Sequence, residues 1–370
     1  MASTAMPRTL ISIIYRILKL ESAKVWCLLL NFLFLQRGII DVAKQFLNEV
    51  IAEKLDIGTV VSSKAFCIAD LGCSVGPNTF AAVENIIEAV KSKYQSQGLN
   101  SKIPEFQVFF NDHVSNDFNL LFTSLPQDKK YYASGVPGSF YGRIFPEASL
   151  HFVHSSFSVQ WLSGVPKEVK NKSSPAWNKG QIHYANSGDE VIRAYKAQYE
   201  KDMDQFLEAR AHEIVVGGLM VLMFLFNPDG IHPSQSSANM MLDLIGSSLI
   251  DLVKEGKVDE EKVDSFNVPM YFMSPKELEA AVERNGCFSI ERMENIPLLF
   301  LTGNTSPVAH KIAAHMRAGM EDMIKQQFGD DIVDELFDLY AKKVDKIFIP
   351  CALNSSIKGG NLFVMLKRKA

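Results

Sequence analysis

Ala69 to Phe80 reads A-D-L-G-C-S-V-G-P-N-T-F, and the fold turns on how these twelve residues are understood. Within them Gly72-Cys73-Ser74-Val75-Gly76 is a literal G-x-S-x-G, the nucleophile elbow of a serine hydrolase. The same residues also form a glycine-rich strand-to-helix turn of the kind that holds a nucleotide-like cofactor.

The flanking sequence separates the two readings. Ala65 to Ala69 is a short apolar run ending at Asp70, a buried strand, and Thr79 to Tyr94 resumes a helical period after Pro77, a residue favoured in a first helical turn. Further strands are expected at Phe106–Phe110, Leu150–Val153 and Val215–Phe226, and helical spacing runs from Arg37 to Leu55. Strands alternating with helices predict a parallel α/β sheet with right-handed crossovers. Beyond Asn227 helical spacing dominates, at Met240–Val253, Pro275–Arg284 and Val308–Leu339, which predicts a helical cap. Leu362–Leu366 then reads as a strand returning to the sheet edge.

In a hydrolase the elbow follows several strands and an oxyanion-hole segment precedes it, whereas here the motif ends the first recognisable strand. A phosphate-binding loop needs a lysine after its last glycine, and positions 77 to 79 are Pro, Asn and Thr. An acid two residues before the first glycine repels pyrophosphate and suits a ligand with an ammonium group and hydroxyls. S-adenosylmethionine is such a ligand. Asp112, ending the second strand, stands where an acid accepts hydrogen bonds from ribose hydroxyls.

Composition bounds the alternatives. The 370 residues are 47% apolar and 22% charged with a net charge of −4, a globular profile without a basic footprint, so nucleic acid is not an expected partner. Five widely spaced cysteines without a C-x-x-C pair indicate neither a disulfide framework nor a zinc site, and the expected location is cytoplasmic. Leu10–Leu35 is strongly apolar but interrupted by Arg16, Lys19, Glu21 and Lys24. Its longest uncharged run, Val25–Leu35, is shorter than a membrane span, so no stable transmembrane anchor is expected, and weak membrane association stays open.

Four stretches, I-A-D-L-G-C-S-V-G-P-N-T, F-F-N-D-H-V-S-N-D-F-N, G-V-P-G-S-F-Y-G-R-I-F-P and H-S-S-F-S-V-Q-W-L-S-G-V-P, occur in that order. Together they resemble the plant SABATH family of S-adenosylmethionine-dependent methyltransferases, which act on small carboxylic acids and, in one branch, on xanthine alkaloids. The resemblance implies an α/β, Rossmann-like methyltransferase sheet with an inserted helical cap, and a homodimer. The expected division is an atypical apolar segment 1–35, a cofactor-binding core 36–230, a cap 231–345 and a C-terminal strand segment 346–370.

The resemblance further implies that Asp70, Cys73 and Asn78 hold the methionine end of the cofactor, Asp112 and His113 the ribose and adenine, and that Ser139 and Phe140 flank the adenine. Gln36 and Trp161 would donate hydrogen bonds to the acceptor carboxylate, two neutral N–H donors that orient it without a salt bridge. Phe157 and Gln160 occupy positions that vary with substrate, and Met241, Leu242 and Met316 fall loosely near the pocket, which points to an apolar acid. A carboxylic acid is already ionised at neutral pH, so no general base is needed, and His154 is expected to be structural. Asn178, Asp264, the Phe266 carbonyl and Asn267 resemble a magnesium site, and a surface turn without metal is an equal alternative.

One departure is clear. The family's S-Y-A-x-N-S stretch before Q-R, a lid over cofactor and substrate, is replaced by A-K-V-W-C-L-L-L-N-F-L-F-L. The principal expectation is a carboxyl methyltransferase. The alternatives are a catalytically weakened cofactor-binding pseudoenzyme without that lid, and a purine N-methyltransferase.

Overall fold

The computed structural model describes residues 42–60, 65–296, 308–354 and 358–370. Seven strands form one sheet: β1 Ala65–Leu71, β2 Glu105–Asp112, β3 Tyr132–Pro137, β4 Leu150–Ser156, β5 Ile214–Phe226, β6 Phe288–Ile296 and β7 Gly360–Arg368. Their order is β3-β2-β1-β4-β5-β7-β6, with β1 to β5 parallel and β7 antiparallel to both its neighbours. This is the expected α/β class. The five strands legible in the sequence are present, each somewhat longer than its apolar run.

Alternate residues of the sheet serve two cores. In β5, Leu219, Val221 and Met223 face one side with α1 (42–54) and α2 (Pro77–Ser96), while Met220, Leu222 and Phe224 face the other with α3 (Asp189–Glu213). Helix α2 forms because Pro77 starts it and Phe80, Val83, Ile86, Ile87, Val90 and Tyr94 repeat at helical spacing on its buried face. A third core belongs to the cap, built from α4 (Ser237–Lys254), α6 (Val308–Phe328), α7 (Val333–Lys343) and the segment around Phe266–Phe272.

The structure differs from the sequence-based expectation in four places. β7 lies inside the sheet, between β5 and β6, and β6 takes the edge. Residues 275–296, within the expected cap, instead supply helix α5 (Pro275–Asn285) against the sheet core and the edge strand itself. The expected helix Val308–Leu339 is two helices, because Gly329 sits at φ 99° and ends the first. β3, β6 and α3 had no counterpart among the predicted elements. β3 contains a glycine and a proline, and β6 carries Glu291, Arg292 and Glu294, as edge strands do.

Candidate active site

The strand order reverses between β1 and β4, and ligands of open α/β sheets bind at the carboxyl ends of the strands at such a point. Asp70 and His154 are paired neighbours there. The turn that leaves β1 is held from below: the Gly72 and Cys73 N–H groups both donate to the Asn111 carbonyl, at 2.8 and 2.9 Å. Gly72 has φ 78°, and a Cβ on it would lie 2.1 Å from Ser158 Oγ, so only glycine fits.

Asp70 is almost fully buried, and both its oxygens are used. Oδ1 lies 2.6 Å from His154 Nδ1 and Oδ2 accepts from the Thr79 hydroxyl in the first turn of α2. The N-cap of that helix is Gly76, which brings no side chain, and its first turn has no acidic residue, so the positive end of the helix dipole faces the turn unopposed by an acid of that turn. Asn78 is half-buried at that terminus. Burial, with Asp70 and Asp112 adding to it, pushes the Cys73 thiol pKa far above its usual value, so the group is a neutral thiol that donates weakly to the Ser74 carbonyl.

Ser74 is exposed, with φ 53°, and its N–H donates to Asp112 Oδ2 at 2.7 Å. Among the described residues no histidine hydrogen-bonds its Oγ, so the elbow has no general base. Asp112 Oδ1 accepts from the His113 N–H at 2.7 Å. With one bond per oxygen, about two of the carboxylate's roughly four acceptor positions remain for a ligand. Gly138 N–H donates to the Asp112 carbonyl, and the Asn111 side chain donates to the Val136 and Gly138 carbonyls, bringing the loop with Ser139 and Phe140 alongside. Ser139 is exposed, whereas Phe140 is buried, tilted on Tyr141 and edge-on to Phe206.

The opposite wall comes from the turn after β4. Phe157 adopts φ 57°, unusual for a bulky residue, and its N–H donates to the Met223 carbonyl at 2.6 Å. Gln160 is buried, and its Oε1 accepts from the Leu225 N–H. Trp161 pairs its backbone with Met270 and packs half-buried on the cap core, with its carbonyl accepting from Tyr141 OH. Its indole Nε1–H has no acceptor among the described residues. Half-buried Met316 packs on the same cap core; Met241 is nearly buried in it, and Leu242 is fully buried there. Gln36 lies outside the described residues.

The family model for S-adenosylmethionine-dependent carboxyl methyltransferases matches residues 33–369. The chain belongs to this family. It is 46% identical over 339 residues to loganic acid O-methyltransferase of Catharanthus roseus, covering 90% of each chain. It is 41% identical to farnesoic acid carboxyl-O-methyltransferase of Arabidopsis thaliana, covering 84% of this chain and 88% of that one. A solved structure of loganic acid methyltransferase with S-adenosylhomocysteine superposes with a TM-score of 0.85 at 45% identity, covering 91% and 94% of the two chains.

The carboxyl methyltransferase is therefore S-adenosylmethionine-dependent, and its cradle suits that cofactor: an uncapped helix end for a carboxylate, an acid with spare acceptor positions for hydroxyls, and a glycine that permits close approach. The four residues expected at a magnesium site do come together, but as a protein network. Asn178 Nδ2 donates to Asn267 Oδ1 at 2.8 Å and to the His183 carbonyl, its Oδ1 accepts from Ser187, and Asp264 Oδ1 accepts from the Gly180 N–H at 2.8 Å. Phe266 packs in the cap core, and Asn267 Nδ2, a donor, is buried without a partner. Donors already face three of the oxygens such a site would use, Asn178 Oδ1, Asn267 Oδ1 and Asp264 Oδ1, which makes this a poor cation site.

The sequence reading of this methyltransferase missed Thr79, Asn111 and Ser158, which shape the cradle, and gave His154 no partner. Asn111 stands beside Asp112 in a quoted motif, but nothing in the spacing shows that its side chain spans to β3.

Proposed function

We propose that the enzyme methylates the carboxylate of a small apolar acid. The observation that carries this reading is the half-buried Trp161 indole, whose N–H is unengaged among the described residues and which packs on the apolar cap core as Met316 does, four residues after Phe157 in the turn that leaves β4. S-adenosylmethionine, when bound, supplies an electrophilic methyl group on its sulfonium. Asp70, Cys73, Asn78 and the α2 terminus would hold its methionine end, Asp112 and His113 its ribose and adenine, and Ser139 with Phe140 would flank the ring. Trp161 and Gln36 would orient the acceptor carboxylate, and Phe157, Gln160, Met241 and Met316 would shape the space around its carbon skeleton. Leu242 would support that wall from within the cap core.

The acceptor needs no base, since carboxylic acids with pKa values of about 4 to 5 are ionised at neutral pH. The contribution of the chain is orientation and exclusion of water from the nucleophilic oxygen. Mg2+ takes no part in the proposed chemistry, since a carboxylate acceptor needs no metal to be ionised, and Asn178 Oδ1, Asn267 Oδ1 and Asp264 Oδ1 are engaged by protein donors. The division into a core of 36–230, a cap of 231–345 that gives up 275–296 to the sheet, and a returning segment of 346–370 belongs to the same proposal, as do a homodimer and a cytoplasmic location. Among the described residues no helix is long and apolar enough to cross a membrane.

The test is a radiolabelled methyl-transfer screen over loganic, farnesoic and jasmonic acids, simple benzoates and xanthines, on this chain and on one carrying S-Y-A-x-N-S before Gln36. Base-labile methyl ester from an acid is the expected product. Turnover of xanthines with indifference to every carboxylate overturns the reading, and binding of S-adenosylhomocysteine without transfer by either chain makes the protein a pseudoenzyme.

A further inference from the structure

Helix α3 ends in two oppositely charged side chains that are wholly withdrawn from water. Arg210 and Glu213 are both 0% exposed, with Arg210 Nη2 2.6 Å from Glu213 Oε2. Such a pair is costly to bury unless its remaining hydrogen-bonding groups are satisfied, and it is weak grounds for stability in itself. What the pair touches is therefore informative. Arg210 Nη1 donates to the Phe140 carbonyl and Nη2 to the Gly142 carbonyl, each at 3.0 Å. Glu213 Oε1 accepts from the Ile144 N–H at 2.6 Å and from the Phe145 N–H at 2.9 Å. The guanidinium also lies over the Phe206 ring, 5.4 Å from its centroid, and Phe206 meets Phe140 edge-on at 5.9 Å.

Four backbone groups of one irregular loop, residues 140 to 145, are thus held by two side chains some seventy residues away in sequence. The loop's other end is fixed at Gly138, whose N–H and carbonyl are tied to Asp112 and Asn111 at the end of β2. Nothing in the loop itself supplies these bonds: its own charged residue, Arg143, is exposed.

We propose that Arg210 and Glu213 are positioning residues for the cofactor, a buried clamp that sets Ser139 and Phe140 at the height needed to flank the adenine. The inference rests on the proposed role of those two residues. It separates the two ends of the cofactor: the clamp acts on the adenosine end, while Asp70 and the α2 terminus act on the amino-acid end. The clamp touches neither the acceptor nor the transferred methyl, so its loss weakens binding without slowing the bound complex.

The experiment compares the wild type with Arg210→Lys and with the double variant Arg210→Met/Glu213→Leu. The double variant removes both buried charges together and keeps an apolar fill, so that folding survives where a single truncation leaves an unpaired charge. Calorimetry uses two probes, S-adenosylhomocysteine and 5′-methylthioadenosine, which keeps the adenosine and lacks the amino-acid end. The double variant is expected to weaken both by the same factor, on the order of ten- to a hundredfold, as for a misplaced positioning group. Its kcat at saturating S-adenosylmethionine stays near wild type while KM for the cofactor rises, and Arg210→Lys falls between. A folded double variant that binds both probes within about twofold of wild type overturns the clamp, as does a loss confined to S-adenosylhomocysteine or a fall in kcat with KM unchanged. If the wild type binds neither probe, the cofactor reading fails, and the clamp with it.

Discussion

His154 Nδ1 lies 2.6 Å from Asp70 Oδ1, across directly paired positions of β4 and β1. A carboxylate can only accept, so Nδ1 carries the proton and the imidazole fixes the acid from one side while Thr79 fixes it from the other. The contact suits an orienting group for Asp70, and the proposed chemistry asks no base of this histidine. His154→Ala is expected to weaken S-adenosylhomocysteine binding about tenfold or more, since a hydrogen bond to a charged group is worth ~1.5–3 kcal/mol. His154→Asn, which places an N–H near the same point, should recover most of it. Calorimetry on the three proteins checks this; an Asn variant as weak as the Ala variant argues against orientation.

The two readings of the G-x-S-x-G turn make opposite demands. Ser74→Ala should keep methyl transfer within about threefold, because the backbone N–H that binds Asp112 is unchanged and a lost surface hydroxyl costs little. Gly72→Ala should abolish cofactor binding, because its Cβ collides with Ser158 and φ 78° disfavours any side chain. Steady-state rates and a parallel esterase assay distinguish them: loss of an esterase activity in Ser74→Ala restores the hydrolase reading.

Trp161→Phe removes one N–H and keeps an aromatic wall. The expected result is a fall of about ten- to a hundredfold in kcat/KM for the acid, the loss of one hydrogen bond to a charged acceptor. Affinity for S-adenosylhomocysteine should not change, and a parallel loss there would place Trp161 in the cofactor site.

The Asn178 network should be indifferent to chelation. Dialysis against EDTA is expected to leave the rate and Tm where they were, while Asn178→Ala costs about 2 kcal/mol by orphaning the buried Asn267 Oδ1, the His183 carbonyl keeping its bond from the Ser187 hydroxyl. Thermal unfolding with and without chelator reads both effects, and a Tm that drops with EDTA and returns with Mg2+ would reinstate the metal.

Burial sets two opposing pH responses, one shared by two histidines and one from an aspartate. Desolvation lowers His183 to about 3, against a hydrogen bond to the Met270 carbonyl that raises it, and lowers His315 to about 4. The unfolded chain takes up these protons near pH 6.5, so between there and about 3 to 4 it binds more protons than the folded chain, and stability falls as pH drops through that window. Asp243 runs the other way. Burial raises its carboxyl to about 7, so from about pH 4 to 7 the folded state binds the extra proton and stability falls as pH rises. Asp243→Asn should therefore raise Tm by about 2 °C near pH 8 and by nothing near pH 4. A gain of equal size at both values would assign the effect to packing.

How far the sequence could be read follows from where each signal lies along the chain. The glycine turn was legible because its parts are contiguous: an apolar strand, two glycines and Pro77 fall within thirteen residues, Ala65 to Pro77, and each answers a local steric demand. β3 and β6 were not, because an edge strand needs no continuous apolar run and these two carry Gly, Pro and charge. Helix α3 went unread although Tyr195, Tyr199, Met203, Phe206 and Arg210 share its buried face, since charged residues fill the spaces between them.

By itself, then, the sequence determined the sheet class, the glycine turn after β1 and the acid at the end of β2, all products of local backbone preference and short-range pattern. Only the tertiary structure decided which groups hold that machinery in place. Asp70 meets His154 across 84 residues and Arg210 meets the Phe140 carbonyl across 70, pairings fixed by strand register and by the seating of α3 on the sheet. Such contacts depend on where distant segments pack, and no local spacing encodes them. The same holds for the Asn178 cluster, whose composition suits a hard cation but whose fold turns Asn178 Oδ1, Asn267 Oδ1 and Asp264 Oδ1 to protein N–H and hydroxyl groups.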